Sequence, residues 1–160
     1  MQSDFEAQVP RQALRDGRTS FEAVKVRFPP EWPGAALALF PTWAAQLATN
    51  PQYADWGGTM IERSTLLAVG QMSFKELPDE GGTVELGYGV NPSSQNRGYA
   101  TEMARALVAW AVKQPAVRRI TAECREDNAA SVRVLEKVGF RPVGRRLDDA
   151  ELLITWEWSP

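Results

Sequence analysis

Between a strand-like stretch, Thr83 to Val90, and an amphipathic one, Tyr99 to Lys113, lies the run Gln95-Asn96-Arg97-Gly98-Tyr99-Ala100. Backbone N–H groups at the mouth of a helix can hold a phosphate with little help from side chains, if the turn before it lets the backbone come close. Pro92, Ser93 and Ser94 turn the chain out of the strand, and Gly98 removes a side chain where that approach is needed. Asn96 tolerates positive φ, and Arg97 can direct charge at an anion. By itself the run serves equally well as an anion cradle or as an ordinary strand-to-helix turn.

Other chemistries are excluded by what the chain lacks. It has no histidine and one cysteine, Cys124, so Ser-His-Asp catalysis, Cys-His catalysis, an internal disulfide and an ordinary zinc site are ruled out. Any proton must move through carboxylates, hydroxyls, water or the substrate itself. Cys124 reads as a small core residue on the apolar face of its strand. Gly87-Tyr88-Gly89-Val90-Asn91-Pro92 imitates a dinucleotide fingerprint, but Pro92 takes the third glycine position and the glycines lie inside a strand. No Gly-x-x-x-x-Gly-Lys-Ser/Thr sequence is present. A formal net charge of -2 gives no electrostatic case for a nucleic-acid partner.

The elements that must position these residues can be read from periodicity. A chain of 160 residues, 44% hydrophobic and 24% charged, fits one domain spanning residues 1–160. No early run has the make-up of a signal peptide, and none approaches the ~18 apolar residues of a membrane span, so a cytoplasmic protein without a membrane partner is expected. Asp4 to Leu14 is weakly helical and interrupted by Pro10. Arg27 to Gly58 carries Pro29, Pro30, Pro33, Pro41 and Pro51 around two alanine-rich pieces, Gly34 to Phe40 and Thr42 to Thr49, which predicts short helices broken by proline. Trp32, Trp43, Tyr53 and Trp56 in this stretch serve either a core or a substrate cleft, and core is the commoner use.

Ser64 to Phe74 and Thr83 to Val90 predict an antiparallel hairpin around the turn Leu77 to Gly82. Ala100, Met103, Ala104, Leu107 and Ala111 recur at helical spacing. Pro115 closes that helix, and Arg118 to Cys124 alternates as a strand with Ile120, Ala122 and Cys124 on one face. Asp127 or Asn128 caps a helix that buries Val132, Leu135 and Val138, and Gly139 ends it in a left-handed cap. Strands at Phe140 to Arg145 and Glu151 to Trp158 complete a mixed α/β sheet with helices on its faces.

With Val84 to Pro92 ahead of the loop and Asp127-Asn128-Ala129-Ala130-Ser131 with Val134 to Phe140 behind it, the chain resembles the GNAT N-acetyltransferase superfamily. There a Gln/Arg-x-x-Gly-x-Gly/Ala loop wraps the pyrophosphate of acetyl-CoA, and Gln95, Gly98 and Ala100 occupy its three defining positions. The likeness covers about Leu66 to Trp158 and is greatest to the branch that acetylates ribosomal-protein N-termini. Asn96 stands where many members of that branch carry glycine. Relatives also usually begin with a strand, whereas this chain enters its first helix directly after Met1-Gln2-Ser3-Asp4 and leaves a sheet edge in question.

The resemblance implies an α/β fold with a mixed, mostly antiparallel sheet split into a V between Thr83–Val90 and Arg118–Cys124. Residues 83–140 would form the acetyl-CoA-binding core and residues 27–58 the acceptor side. The pantetheine arm would pair with backbone groups near Gly89 and Val90, and the Val90 amide would steady charge on the thioester carbonyl. Asn128 would bond the arm or only cap its helix. Glu85 would act as base, directly or through water, or else be a salt-bridged or solvent-facing residue; Glu123 is the second candidate, under the same alternatives. Ser131 would protonate the leaving thiolate or only hydrogen-bond in the first helical turn. The implied function is direct acetyl transfer from acetyl-CoA, with no metal, to a protein N-terminal or small-molecule amine; the alternative is a non-catalytic CoA-binding or sensing module. A homodimer pairing through Leu152 to Trp158 is a further expectation.

Overall fold

The computed structural model describes residues 26–159. Six strands form one sheet: β1 (Gly57–Glu62), β2 (Leu67–Phe74), β3 (Thr83–Val90), β4 (Arg119–Arg125), β5 (Phe140–Asp148) and β6 (Glu151–Trp158), in the spatial order β1-β2-β3-β4-β6-β5. Every neighbouring pair is antiparallel except β3 and β4, which run parallel. Among the described residues three α-helices accompany them, α1 (Phe40–Thr49), α2 (Tyr99–Ala111) and α3 (Ala129–Val138). The parallel pair needs a long crossover, and α2 supplies it.

The split in the sheet is visible in its register. Pairing between β3 and β4 runs from Thr83 opposite Arg119 to Leu86 opposite Ala122 and stops there, although β3 continues to Val90 and β4 to Arg125. On its other side β3 stays paired with β2 through Val90 opposite Gly70. The Lys75 N–H donates to the Glu85 carbonyl at 2.9 Å and the Asn91 N–H to that of Val69 at 2.8 Å. Antiparallel alternation therefore spends the backbone groups of Glu85, Gly87, Gly89 and Asn91 on β2 and turns those of Tyr88 and Val90 toward the gap.

One face of the sheet carries the core. Met72, Phe74, Val84, Leu86, Ile120, Ala122 and Trp156 pack against Met103, Ala104, Leu107, Val108 and Ala111 of α2, with Leu135 of α3 in the same cluster. The predicted α2 stripe is present, joined by Tyr99 and Val108, while Ala100 is only half-buried. Along α3 only Leu135 is fully buried, and Val132 and Val138 pack at the margin. Truncating Leu107 or Leu135 to alanine should cost about 2 to 5 kcal/mol.

Several expectations are corrected. Pro41 does not break the alanine-rich region: it lies in the first turn of α1, where its missing N–H costs nothing, and a 3-10 segment, Gly34–Leu39, runs straight into the helix. Of the four aromatic residues between Arg27 and Gly58 for which core was the commoner use, Tyr53 is buried and Trp56, half-buried, packs against the core cluster, whereas Trp43 walls a surface cavity and Trp32 is half-buried. β1 was not predicted, because Gly57-Gly58-Thr59 has no strand pattern and the strand exists through its pairing with β2. The strand Glu151–Trp158 has no free edge to lend a second copy, since β4 and β5 flank it. The edge strand beyond it, β5, carries Arg141, Arg145 and Arg146 and an irregularity between Pro142 and Gly144, features that discourage strand pairing. The helix expected at Asp4 to Leu14 and the question of a first strand lie outside the described residues.

Candidate active site

The gap between the diverging strands opens into a cleft of about 440 Å³ bounded by β3, the turn before α2, and α3. Asn96 at φ 60° and Gly98 at φ 86° adopt the left-handed geometry that their residue types allow. Gly98 is the N-cap of α2, and no side chain caps that end. A glycine offers no side-chain cap to the leading N–H groups of the helix, and the helix dipole adds partial positive charge there. The Gln95 Nε2 donates to the Val90 carbonyl at 3.1 Å, fastening the loop to the end of β3.

The cleft gathers every loop and cleft residue expected to meet a cofactor: Gly89, Val90, Gln95 to Ala100, Asn128 and Ser131 all line it. Their detailed roles differ from expectation in places. Arg97 donates to Glu62 at 2.8 Å and stacks over the Tyr99 ring, 5.0 Å from its centroid, so its charge is largely offset by a carboxylate. Tyr99 also donates to Glu62, and burial followed by that hydrogen bond raises its phenol to about 12. Hydrogen bonds from Thr65 and Tyr99 hold the Glu62 carboxyl below its usual range. The network braces the loop against β1. Asn128 caps α3, its Oδ1 accepting from the Ser131 N–H at 3.1 Å. It is thus the backbone of Ser131, rather than its hydroxyl, that joins the cap.

Seven lining residues escaped the sequence reading: Tyr88, Ser94, Thr101, Ala130, Arg133, Val134 and Lys137. The Tyr88 hydroxyl donates to the Ser131 carbonyl at 3.4 Å, and burial raises its pKa. Its alternation with Leu86 and Val90 on β3 was the available signal. The Ser94 hydroxyl is buried without a hydrogen-bond partner among the described residues. Arg133 and Lys137 project from α3 on the face shared with Ala130 and Val134, a helical stripe that reads as solvent-facing until α3 is set beside the gap.

The proposed bases lie elsewhere. Strand alternation places Glu85 on the opposite face of β3 from Leu86, and its carboxylate is ion-paired with Lys75. Glu123, on the same face of β4, accepts from Arg146 at 2.8 and 2.9 Å and from the Thr155 hydroxyl at 3.2 Å. Those bonds hold its carboxyl below the usual range, so it is a structural anion. Cys124 is buried, which raises its thiol, and it does not line the cleft. Among the described residues no cluster of His, Cys, Asp and Glu could hold a metal ion, and no helix is long and apolar enough to cross a membrane.

On that second face lies another cavity, also of about 440 Å³, between α1, the 3-10 turn Pro51–Trp56 and strands β1 and β2. Tyr53 anchors it, donating to the Phe74 and Lys75 carbonyls at 3.0 and 2.7 Å.

This architecture has known counterparts. The sequence profile of the acetyltransferase (GNAT) domain matches residues 11–141. The chain belongs to the GNAT acetyltransferase family. Its acyltransferase domain is 33% identical over 114 residues to the uncharacterized N-acetyltransferase YjdG of Bacillus subtilis, a match covering 69% of this chain and 67% of that protein. A GNAT-family acetyltransferase of Bacillus anthracis superimposes with a TM-score of 0.56 at 28% identity, covering 62% of this chain and 63% of the other. The ribosomal-protein-S5-alanine acetyltransferase of Vibrio fischeri shares the fold, with a TM-score of 0.61 at 17% identity over 74% and 70% of the two chains. The chain thus spans about two thirds of the length of these relatives.

Proposed function

We propose that this GNAT protein transfers an acetyl group from acetyl-CoA directly to a primary amine, acting as one domain in which residues 83–140 hold the coenzyme and residues 27–58 face the acceptor. The observation that carries this reading is the meeting of three features in one gap. These are the Tyr88 backbone and the Val90 N–H turned away from β2, the left-handed turn at Asn96 and Gly98, and the cations of Arg133 and Lys137. A ligand with amides along an extended arm and phosphates at its end matches them in order. Arm amides add to β3 as a strand would, and a pyrophosphate rests on the first turn of α2 among Gln95 to Ala100. Arg133 and Lys137 offset the remaining phosphate charge, and the orphaned Ser94 hydroxyl gains an acceptor. Asn128 has its Oδ1 in the cap and its amide N–H groups left for the arm.

Acetyl-CoA, when bound, supplies a thioester carbon open to attack. The amine nitrogen forms a bond to that carbon as the C–S bond breaks, nitrogen loses one proton and sulfur gains one. In this reading the Val90 N–H steadies charge on the carbonyl oxygen. The Ser131 hydroxyl delivers the proton to sulfur, its helical turn held by Tyr88. Of the two candidate carboxylates, Glu123 is committed to Arg146 and Thr155, whereas Glu85 has Lys75 as its one side-chain partner and is 32% exposed two positions from Gly87. Glu85 therefore takes the amine proton, through water. An α-amine, with pKa ~7.7 to 8.0 against ~10.4 for lysine, needs less of such help. Likeness to the ribosomal-protein branch supports a protein N-terminus as one acceptor class.

Incubation with acetyl-CoA and a panel of amines, with free thiol as the readout and CoA binding followed by calorimetry, tests the reading. Thiol release that depends on the amine is expected. Binding without release for any amine would leave a CoA-binding module, and absence of binding would end both readings.

A further inference from the structure

The apolar face of α1 has no core to enter. Phe40, Trp43, Ala44 and Leu47 recur at the i, i+3, i+4, i+7 spacing of a buried stripe, yet α1 contains no fully buried residue. The stripe instead walls the second cavity, whose floor is Thr59, Gln71 and Ser73. None of the described residues lining that cavity is charged. The nearest acidic groups on this face of β3 and β4 are ion-paired, Glu85 with Lys75 and Glu123 with Arg146.

The cavity's floor strand β2 pairs with β3, the strand that bounds the coenzyme cleft. Gln71 is the register partner of Gly89 and Ser73 that of Gly87, and adjacent strands lie ~4.8 Å apart. Gly87 and Gly89 would point side chains at this face, and a Cβ built at Gly89 meets nothing within 4 Å. The strand beyond its parting from β4 is therefore bare at Gly89, whereas the Lys75 side chain lies 3.6 Å from a Cβ built at Gly87. Gln71 keeps a buried amide oxygen with no hydrogen-bond partner among the described residues, an acceptor for one amine N–H.

We infer that the second cavity is the acceptor site and that its substrate is a primary monoamine with an apolar, ring-sized or branched aliphatic body. The inference rests on the acetyl-transfer reading and narrows it. The apolar body lies against Phe40, Trp43 and Leu47, and the nitrogen rests at Gln71 facing the bare strand. Polyamines and amino sugars are poorly served, because their extra ammonium groups would be desolvated without a lining carboxylate. The same surroundings favour the neutral amine over the ammonium ion, which is the form that attacks. The balance is the one given above: an N–C bond replaces the C–S bond, and the nitrogen's proton leaves by Glu85 while sulfur is protonated.

Phenethylamine and isoamylamine, set against spermidine and an alanine-led peptide, test this by thiol release. In parallel, amine binding to CoA-saturated protein is followed by Trp43 fluorescence. The apolar amines should show at least about tenfold higher kcat/KM, the scale on which an apolar pocket discriminates. Leu47→Trp, which fills the cavity from a position 40% exposed and so tolerant of change, should raise their KM about tenfold and leave CoA affinity unchanged. Gln71→Leu should raise KM with the same selectivity. Preference for spermidine or the peptide would overturn the inference, as would an apolar-amine KM untouched by both variants. If the apolar amines bind and Leu47→Trp removes that binding but no amine releases thiol, the transfer reading fails and the pocket assignment stands.

Discussion

The two cavities are equal in volume and opposite in construction. The cleft between β3 and α3 is made of backbone, with glycine and asparagine at left-handed φ, an uncapped helix end and two cations. The cavity under α1 is made of side chains, an apolar helical stripe over a strand floor with no charge. Backbone and dipole groups recognise what every acetyl donor of one kind shares, whereas side-chain walls select by shape and charge. The cleft proposed for the donor can therefore be read from local geometry, and the cavity proposed for the acceptor cannot.

Breaking the donor side should give the largest effect. Gly98→Val strains a backbone at φ 86° and places a branched side chain at the helix mouth, so CoA affinity should fall about a hundredfold by calorimetry. Gly89→Val separates the two regions. A Cβ there meets nothing within 4 Å and valine suits a strand, so folding should persist while kcat drops about thirtyfold, beyond any loss of CoA affinity at this cleft-lining position, because the amine no longer reaches the gap. If kcat survives this change, the acceptor does not approach across β3.

Smaller effects sharpen the contrast. Glu85→Gln should lower kcat about tenfold or more at neutral pH, with CoA affinity unchanged; an unchanged kcat would make Glu85 only an anchor for Lys75. Lys137→Ala should weaken CoA binding several-fold, and the loss should shrink with added salt, as expected for a partly exposed phosphate contact. Glu123→Gln belongs to neither cavity and should leave turnover intact while lowering stability by about 1 to 2 kcal/mol, given a carboxylate only 17% exposed. Because the folded pKa of Glu123 is depressed, its contribution is full above the usual value near 4.5 and is lost as pH falls through the lower folded value. Urea midpoints of parent and variant should therefore differ at pH 7 and converge in acid, below the depressed folded value.

Much of the donor side was legible because its determinants are adjacent in sequence. Asn96 and Gly98 declare positive φ by residue type, Asn128 and Gly139 declare helix ends, and alternation along Thr83 to Val90 fixes which side chains share a face. Arg133 and Lys137 were missed because an exposed basic stripe on α3 looks like any solvated face until β3 and β4 diverge beside it. Glu85 and Glu123 show the reverse: sequence spacing makes both candidates, and only their partners at positions 75 and 146 distinguish them.

The chain by itself determined its local conformations: the loop from Gln95 to Ala100, the amphipathic α2, the hairpin of β2 and β3, and the exclusion of histidine and metal-thiolate chemistry. These follow from backbone sterics and short periodicities, which act within a few residues. Tertiary structure alone decided that β1 exists, that β6 is an interior strand, that Arg97 is held by Glu62 rather than free for a phosphate, and that the apolar stripe of α1 lines a cavity instead of a core. Each of those depends on register and packing between segments far apart in the chain, where a residue's neighbours, and so its charge and exposure, are set by the sheet rather than by the sequence around it.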